Sequence, residues 1–179
     1  MQDLWVFGYG SLMWRPGFEF EERRPALLKG YHRGFCVYSH VHRGTPERPG
    51  LVFGLDTGGE CQGVAFRVDA SRAEETRRYL EAREQVTSVY VETMKLVELV
   101  DDGSQVEALC YLVDQTHPQY AEELTFERQV ALIAAGVGNS GRNPDYLEST
   151  VRHLDASGIA DPELTRLWQA VEERLRRSA

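Results

Sequence analysis

Hydrophobic periodicity along this 179-residue chain changes from a strand-like to a helical pattern about two-thirds of the way through, and that change limits what it can fold into. Short apolar or alternating segments at residues 4–7, 27–39, 51–55 and 61–68 are separated by glycine- and proline-rich turns, which is strand patterning. Lys29-Gly30 marks a bend within the second segment, and Pro46, Pro49 and Gly50 exclude regular structure across 42–50. A single helix interrupts the strands: Ser71-Arg72-Ala73-Glu74 is a capping box, and the helix runs to about Gln85. Residues 86–100, Asp101-Asp102-Gly103-Ser104 and residues 106–113 then predict a hairpin. Beyond it the period becomes helical, at 121–137, from Asn143-Pro144 to about 156, and from Asp161-Pro162 along Leu164, Leu167, Trp168, Val171 and Leu175. No repeat or linker divides the chain. The expectation is one α+β domain over residues 1–179, with a strongly bent or closed sheet and helices gathered towards the C-terminal side.

A formal net charge of −8 argues against general affinity for nucleic acid or an anionic membrane, because both need a cationic surface. No segment has the length of a membrane span, and Met1-Gln2-Asp3 shows no signal-peptide pattern, so a cytoplasmic protein is expected. Cys36, Cys61 and Cys110 are widely spaced, which suits reduced thiols in a core better than a disulfide framework or a zinc site.

Two places can carry chemistry. The turn Tyr9-Gly10-Ser11-Leu12 follows the strand-like Leu4-Trp5-Val6-Phe7 and can offer backbone N–H groups to an anion or a developing oxyanion. It is not a dinucleotide fingerprint, since Met13 stands where a third glycine is needed and Trp14-Arg15-Pro16-Gly17 breaks a helix. The plainer alternative is a glycine-rich turn in which Gly8 and Gly10 supply unusual backbone angles. The second place is Glu84. At about 100° per residue, Ala73, Leu80 and Glu84 fall within about 40° of one another, which directs the carboxylate inward at the negative end of its helix. Burial there raises a carboxyl pKa towards that of a general base. The alternative is an ion pair with Arg83 or Arg77 on a solvated helix end.

Weaker candidates surround these. Tyr120, in His117-Pro118-Gln119-Tyr120, can present its hydroxyl from a loop or pack its ring at the edge of the core. Arg43 and Arg48 can pair with a substrate carboxylate or simply keep a loop soluble. His40 and His42, with His32, lack acidic or cysteine ligands at useful spacing, so no metal is expected. With no serine-histidine-acid pattern, an enzyme of this composition should use a nucleophile brought by its substrate.

Six blocks in order resemble the ChaC-type γ-glutamylcyclotransferases. Phe7-Gly8-Tyr9-Gly10-Ser11-Leu12-Met13-Trp14 is similar to their N-terminal signature, His42-Arg43-Gly44-Thr45-Pro46 with Pro49-Gly50 to their second, and Gly63-Val64-Ala65-Phe66-Arg67 to the strand that follows. Tyr79-Leu80 with Arg83-Glu84 resembles the segment holding their catalytic glutamate; His117-Pro118-Gln119-Tyr120, and Ser140-Gly141-Arg142-Asn143 with Tyr146-Leu147, resemble their C-terminal blocks. The resemblance implies a γ-glutamylcyclotransferase-like fold, a small barrel-like mixed sheet with flanking helices, and cleavage of glutathione to 5-oxoproline and cysteinylglycine without a cofactor. It further implies Glu84 as base, residues Tyr9, Gly10, Ser11 and Leu12 around the γ-glutamyl group, and Tyr120 completing the pocket. A monomer with a small-molecule substrate is expected. One departure is visible: many relatives follow the glutamate with Gly-Tyr, whereas this chain has Gln85-Val86-Thr87-Ser88-Val89-Tyr90. Other γ-glutamyl amino acids or amines, or a non-catalytic γ-glutamyl-binding role, are the alternatives.

Overall fold

A computed structural model describes residues 1–84 and 88–179. Its strands are β1 (Leu4–Gly8), β2 (Glu22–Ser39), β3 (Gly50–Val68), β4 (Tyr90–Leu99) and β5 (Gln105–Val113), which close into a barrel in the order β1-β3-β2-β4-β5. Strand β1 pairs antiparallel with β3 from Leu4 opposite Val68 to Gly8 opposite Val64, and parallel with β5 at Trp5 and Val6. The sheet is therefore mixed. Helix α1 (Ala73–Glu84) lies between β3 and β4; α2 (Phe126–Ala135), the two-residue strands β6 (Val137–Gly138) and β7 (Gly141–Arg142), α3 (Asn143–Ala156) and α4 (Pro162–Arg177) complete the chain.

Two compact units share these elements, one of Met1–Gly34 with Gly54–His117 and the other of Phe35–Phe53 with Pro118–Ala179. In the first, β1 and β5 are buried on both faces over most of their length, at Val6, Phe7, Leu109, Cys110 and Tyr111 among others, and Leu80 of α1 is fully buried. In the second, α4 packs with α2 and α3 through Leu164, Leu167 and Val171, and Phe35, Phe53 and Tyr146 form an aromatic cluster with centroids 4.3–6.0 Å apart. Asn143 is completely buried there. Its amide accepts from the Leu51 N–H and donates to the Leu51 carbonyl, both at 2.8 Å, so one side chain satisfies a strand edge.

Several element ends differ from the sequence reading for identifiable reasons. Residues 51–55 and 61–68 belong to one strand, because the intervening 56–60 are largely exposed and carry no apolar signal. The helix expected from 121 begins only at Phe126 with Thr125 as its cap, since Gln119, Tyr120 and Ala121 pair with the end of β2: the Ala121 N–H donates to the Cys36 carbonyl at 2.7 Å. Before α1, the chain makes a 3₁₀ turn, Ala70–Arg72, capped by the Asp69 carboxylate rather than by Ser71. Asn143 does not cap α3; its side chain is spent on Leu51, and Pro144 fixes the first turn instead. The expected helix end at Gln85, the strand start at Val86, and the Gln85-Val86-Thr87 part of the family departure lie outside the described residues.

Candidate active site

Strand β1 delivers the chain into a 3₁₀ turn at Ser11–Met13, closed by the Met13 N–H on the Gly10 carbonyl at 2.9 Å and the Arg15 N–H on the Ser11 carbonyl at 2.8 Å. Amides at the start of such a turn have no partner within the turn itself. Tyr9 and Leu12 are buried, Gly10 is half-buried and Ser11 is exposed, so the turn anchors on two side chains and presents its polar tip. Neither Gly8 nor Gly10 has a positive φ; Gly10 sits at φ −133°, ψ −131°, outside the main basins of residues with a Cβ.

Two arginines hold this turn, and neither role was legible beforehand. Arg33 of β2 is 9% exposed; its Nε donates to the Tyr9 carbonyl at 2.6 Å and its Nη2 to the Gln62 carbonyl at 2.5 Å. Arg83 of α1 donates through Nη2 to Ser11 Oγ at 3.0 Å, and through Nη1 to the Arg15 and Pro16 carbonyls at 2.7 and 3.0 Å and to Tyr79 Oη at 3.1 Å. The segment it grips must approach Tyr79 closely. Gly17 has φ +77°, and a Cβ there would lie 2.0 Å from Tyr79 Oη, so only glycine fits. The fixed fork of a guanidinium can reach several carbonyls at once, which an ammonium does less well.

Glu84 is the last residue of α1, one helical turn beyond the fully buried Leu80. About a fifth of its side-chain surface is exposed, and Oε1 lies 3.7 Å from Arg83 Nε. Burial holds its pKa above the ordinary value near 4.5, while the Arg83 charge pulls the other way and only partly offsets it. Both sequence readings of Glu84 therefore describe one residue: a desolvated carboxyl and an ion-paired one. Arg77, the other proposed partner, binds Glu92 at 3.1 Å instead. Through Arg83 the first unit joins the polar turn to the carboxylate.

Tyr120 and Arg43 belong to the second unit. Tyr120 is half-buried and bridges Val37 of β2. Arg43 donates from Nη1 to the Arg142 carbonyl at 3.1 Å and stacks over the Tyr146 ring at 5.3 Å, while Arg48 stays exposed. His42 Nδ1 meets Ser140 Oγ at 3.0 Å, and His32 Nδ1 donates to the Gly58 carbonyl at 2.9 Å. All three cysteines are buried, and burial pushes the Cys110 thiol up to about 12.

A closed mixed barrel carrying a turn fixed by two arginines, with one desolvated carboxyl at the adjoining helix end, is a scaffold suited to proton transfer on a small polar molecule. The model for the family of ChaC-like proteins matches residues 4–174, and the chain belongs to that family. The chain is 38% identical over 172 residues to the glutathione-specific gamma-glutamylcyclotransferase of Escherichia coli K12, covering 96% of this chain and 74% of that protein. It is 35% identical over 180 residues to glutathione-specific gamma-glutamylcyclotransferase 1 of Danio rerio, covering 97% and 91%. The fold matches a crystal structure of a yeast gamma-glutamyl cyclotransferase specific to glutathione with a TM-score of 0.85 at 24% identity, over 97% of both chains. The α+β barrel with C-terminal helices is thus the fold of that structure. Among the described residues, no helix is long and apolar enough to cross a membrane.

Proposed function

We propose that the chain is a γ-glutamylcyclotransferase acting on glutathione, and that residues 1–179 work as one family domain. The observation that carries this reading is Glu84, a carboxyl with a raised pKa joined through Arg83 to the polar tip of the turn at Ser11. The activity named for the relatives from two distant organisms supports the substrate class.

In the proposed reaction the substrate supplies its own nucleophile. Its γ-glutamyl group binds folded, with the α-nitrogen against the γ-carbonyl carbon. Glu84 takes a proton from the α-ammonium, the freed amine attacks that carbon, and a five-membered ring closes. Glu84 returns that proton to the cysteinyl nitrogen, takes the second proton that the ring nitrogen sheds as it becomes the lactam N–H, and passes it to the cysteinylglycine amine, which leaves as an ammonium when the tetrahedral intermediate collapses and the C–N bond breaks. The products are 5-oxoproline and cysteinylglycine. Orientation of this kind is worth roughly 7–11 kcal/mol in the best-aligned intramolecular reactions. Tyr9, Gly10, Ser11 and Leu12 hold the γ-glutamyl group in this reading, with Tyr120 and Arg43 as further substrate contacts. The reading has the protein act as a monomer in the cytoplasm, where its buried thiols stay reduced.

Incubation with glutathione, followed by mass spectrometry, tests the proposal. 5-Oxoproline should appear from glutathione and not from N-acetyl-glutathione, whose α-nitrogen is no longer nucleophilic. Product from the acetylated compound would overturn the mechanism, and preference for γ-glutamyl-alanine or γ-glutamyl-lysine would move the substrate assignment. Absence of 5-oxoproline with every compound would leave a binding protein.

A further inference from the structure

The Tyr111 hydroxyl is buried without a hydrogen-bond partner, the only such side-chain atom among the described residues. Buried polar groups in native proteins are nearly always paired, and an exception asks for a reason. Its position supplies one. Tyr111 stands opposite Glu92 in the β4–β5 ladder, so both side chains leave the same face, and Arg77 of α1 reaches down to that Glu92. Arg77 shares its helix face with Ala73, Leu80 and Glu84. The Tyr111 ring belongs to one buried cluster with Leu12 of the polar turn and Leu80 of α1. The phenol therefore lies beneath the face of α1 that ends in the base, in the cluster that anchors the turn through Leu12.

We propose that the Tyr111 hydroxyl is a catalytic hydrogen-bond donor to the γ-carbonyl oxygen of the bound γ-glutamyl group. The inference rests on the function proposed above. Burial foremost, and then the charges of Glu92, Glu84 and Glu81, hold the phenol above its ordinary range, so it keeps its proton and stays a donor at every working pH. Three carboxylates against the one guanidinium of Arg77 also make this a poor place for the substrate's α-carboxylate. A neutral carbonyl is the acceptor that fits. As the α-nitrogen attacks, the carbonyl π electrons move onto oxygen and the Tyr111 O–H bond to it strengthens. When the C–N bond to cysteinylglycine breaks, the electrons return to re-form the carbonyl. Tyr111 keeps its proton throughout, and Glu84 carries in turn the two protons that pass from the α-nitrogen to the leaving nitrogen.

The test is Tyr111→Phe, with thermal melting, glutathione kinetics and 5-oxoproline binding measured on the same preparations. Removing an unpaired buried hydroxyl should leave the melting temperature unchanged or raise it. The same change should lower kcat about 10²–10³-fold, as loss of one oxyanion donor does, with KM moved less than about threefold. The lactam oxygen of 5-oxoproline descends from the γ-carbonyl, so its Kd should rise about tenfold. Placing 3-fluorotyrosine at position 111 restores the donor and should restore most of the turnover. A tyrosine that serves only the core would instead give a less stable Phe variant with kcat within about threefold of wild type, and that result overturns the proposal while leaving the function standing. Equal losses with phenylalanine and fluorotyrosine would overturn it too. A wild-type protein that neither releases 5-oxoproline from glutathione nor binds it refutes the function, and this inference with it.

Discussion

Glu84→Gln isolates the proton-transfer role, because the amide keeps the shape of the side chain and cannot accept the proton. The surroundings should survive the change. Arg83 loses a partner at 3.7 Å but keeps its bonds to Ser11, Arg15, Pro16 and Tyr79, so the turn stays anchored. Part-exposed ion pairs of this kind are worth about 0.2–1 kcal/mol, which bounds the loss from the pair itself. Against it stands the desolvation that raises the wild-type pKa. A carboxyl whose folded pKa exceeds its unfolded value near 4.5 binds more protons in the native state, so wild-type stability falls as pH rises through that interval. Glutamine carries no such penalty. Melting curves should therefore show the variant gaining on wild type from pH 4 to pH 8. Turnover of glutathione should drop about 10²–10⁴-fold, the usual contribution of a general base. The wild-type kcat/KM should fall on the acid side with a midpoint above 4.5, and the residual rate of the variant should lack that limb. Turnover above about a hundredth of wild type in a folded variant, or a stability difference that does not grow with pH, would refute the reasoning.

Arg83→Lys should cost kcat/KM about tenfold or more and lower the melting temperature, since an ammonium cannot span Ser11 Oγ and two carbonyls together; steady-state kinetics beside calorimetry checks both. Cys110→Ala should leave turnover within about twofold, because a thiol with a pKa pushed up to about 12 is ionised to roughly one part in ten thousand at pH 8; brief iodoacetamide treatment of the native protein should likewise spare activity. Tyr120→Phe should reduce turnover less than Glu84→Gln does, and equal losses in two folded variants would count against orientation as its role.

Legibility in the sequence followed the range of the interactions involved. Local signals transferred well: the Asp101-Asp102-Gly103-Ser104 turn joins β4 and β5 as expected, Asp161 caps α4 by accepting from the Leu164 N–H, and the 100° spacing of Leu80 and Glu84 anticipated a carboxyl on the buried meridian. Signals failed where a distant partner decided the outcome. Asn143 is a favoured cap by composition, yet Leu51, far away in the chain, claims both ends of its amide. Residues from 121 look helical until the end of β2 claims the Ala121 N–H and the Gln119 carbonyl, and the helix starts only at Phe126. At the candidate site, the turn and the base were visible as motifs, whereas Arg33 carried no signal and Arg83 showed only as the neighbour and ion-pair alternative of Glu84. Nothing in their spacing says that one is buried under Tyr9 and the other spans the 3₁₀ turn.

Arg83 also explains how a desolvated base and an ordered turn are kept compatible. A carboxyl raised by burial alone would be protonated over more of the working range and so unready to take a proton. A full-strength ion pair would do the opposite, lowering the pKa and weakening the base. Arg83 avoids both extremes, because most of its hydrogen-bonding capacity goes to Ser11, Arg15, Pro16 and Tyr79 and only Nε faces Glu84, at 3.7 Å, longer than a hydrogen bond. What reaches the carboxyl is a moderating charge that leaves its pKa raised. The same guanidinium fixes the distance between the base and the turn, so the strength of the base and the orientation of a substrate held on the turn depend on one side chain.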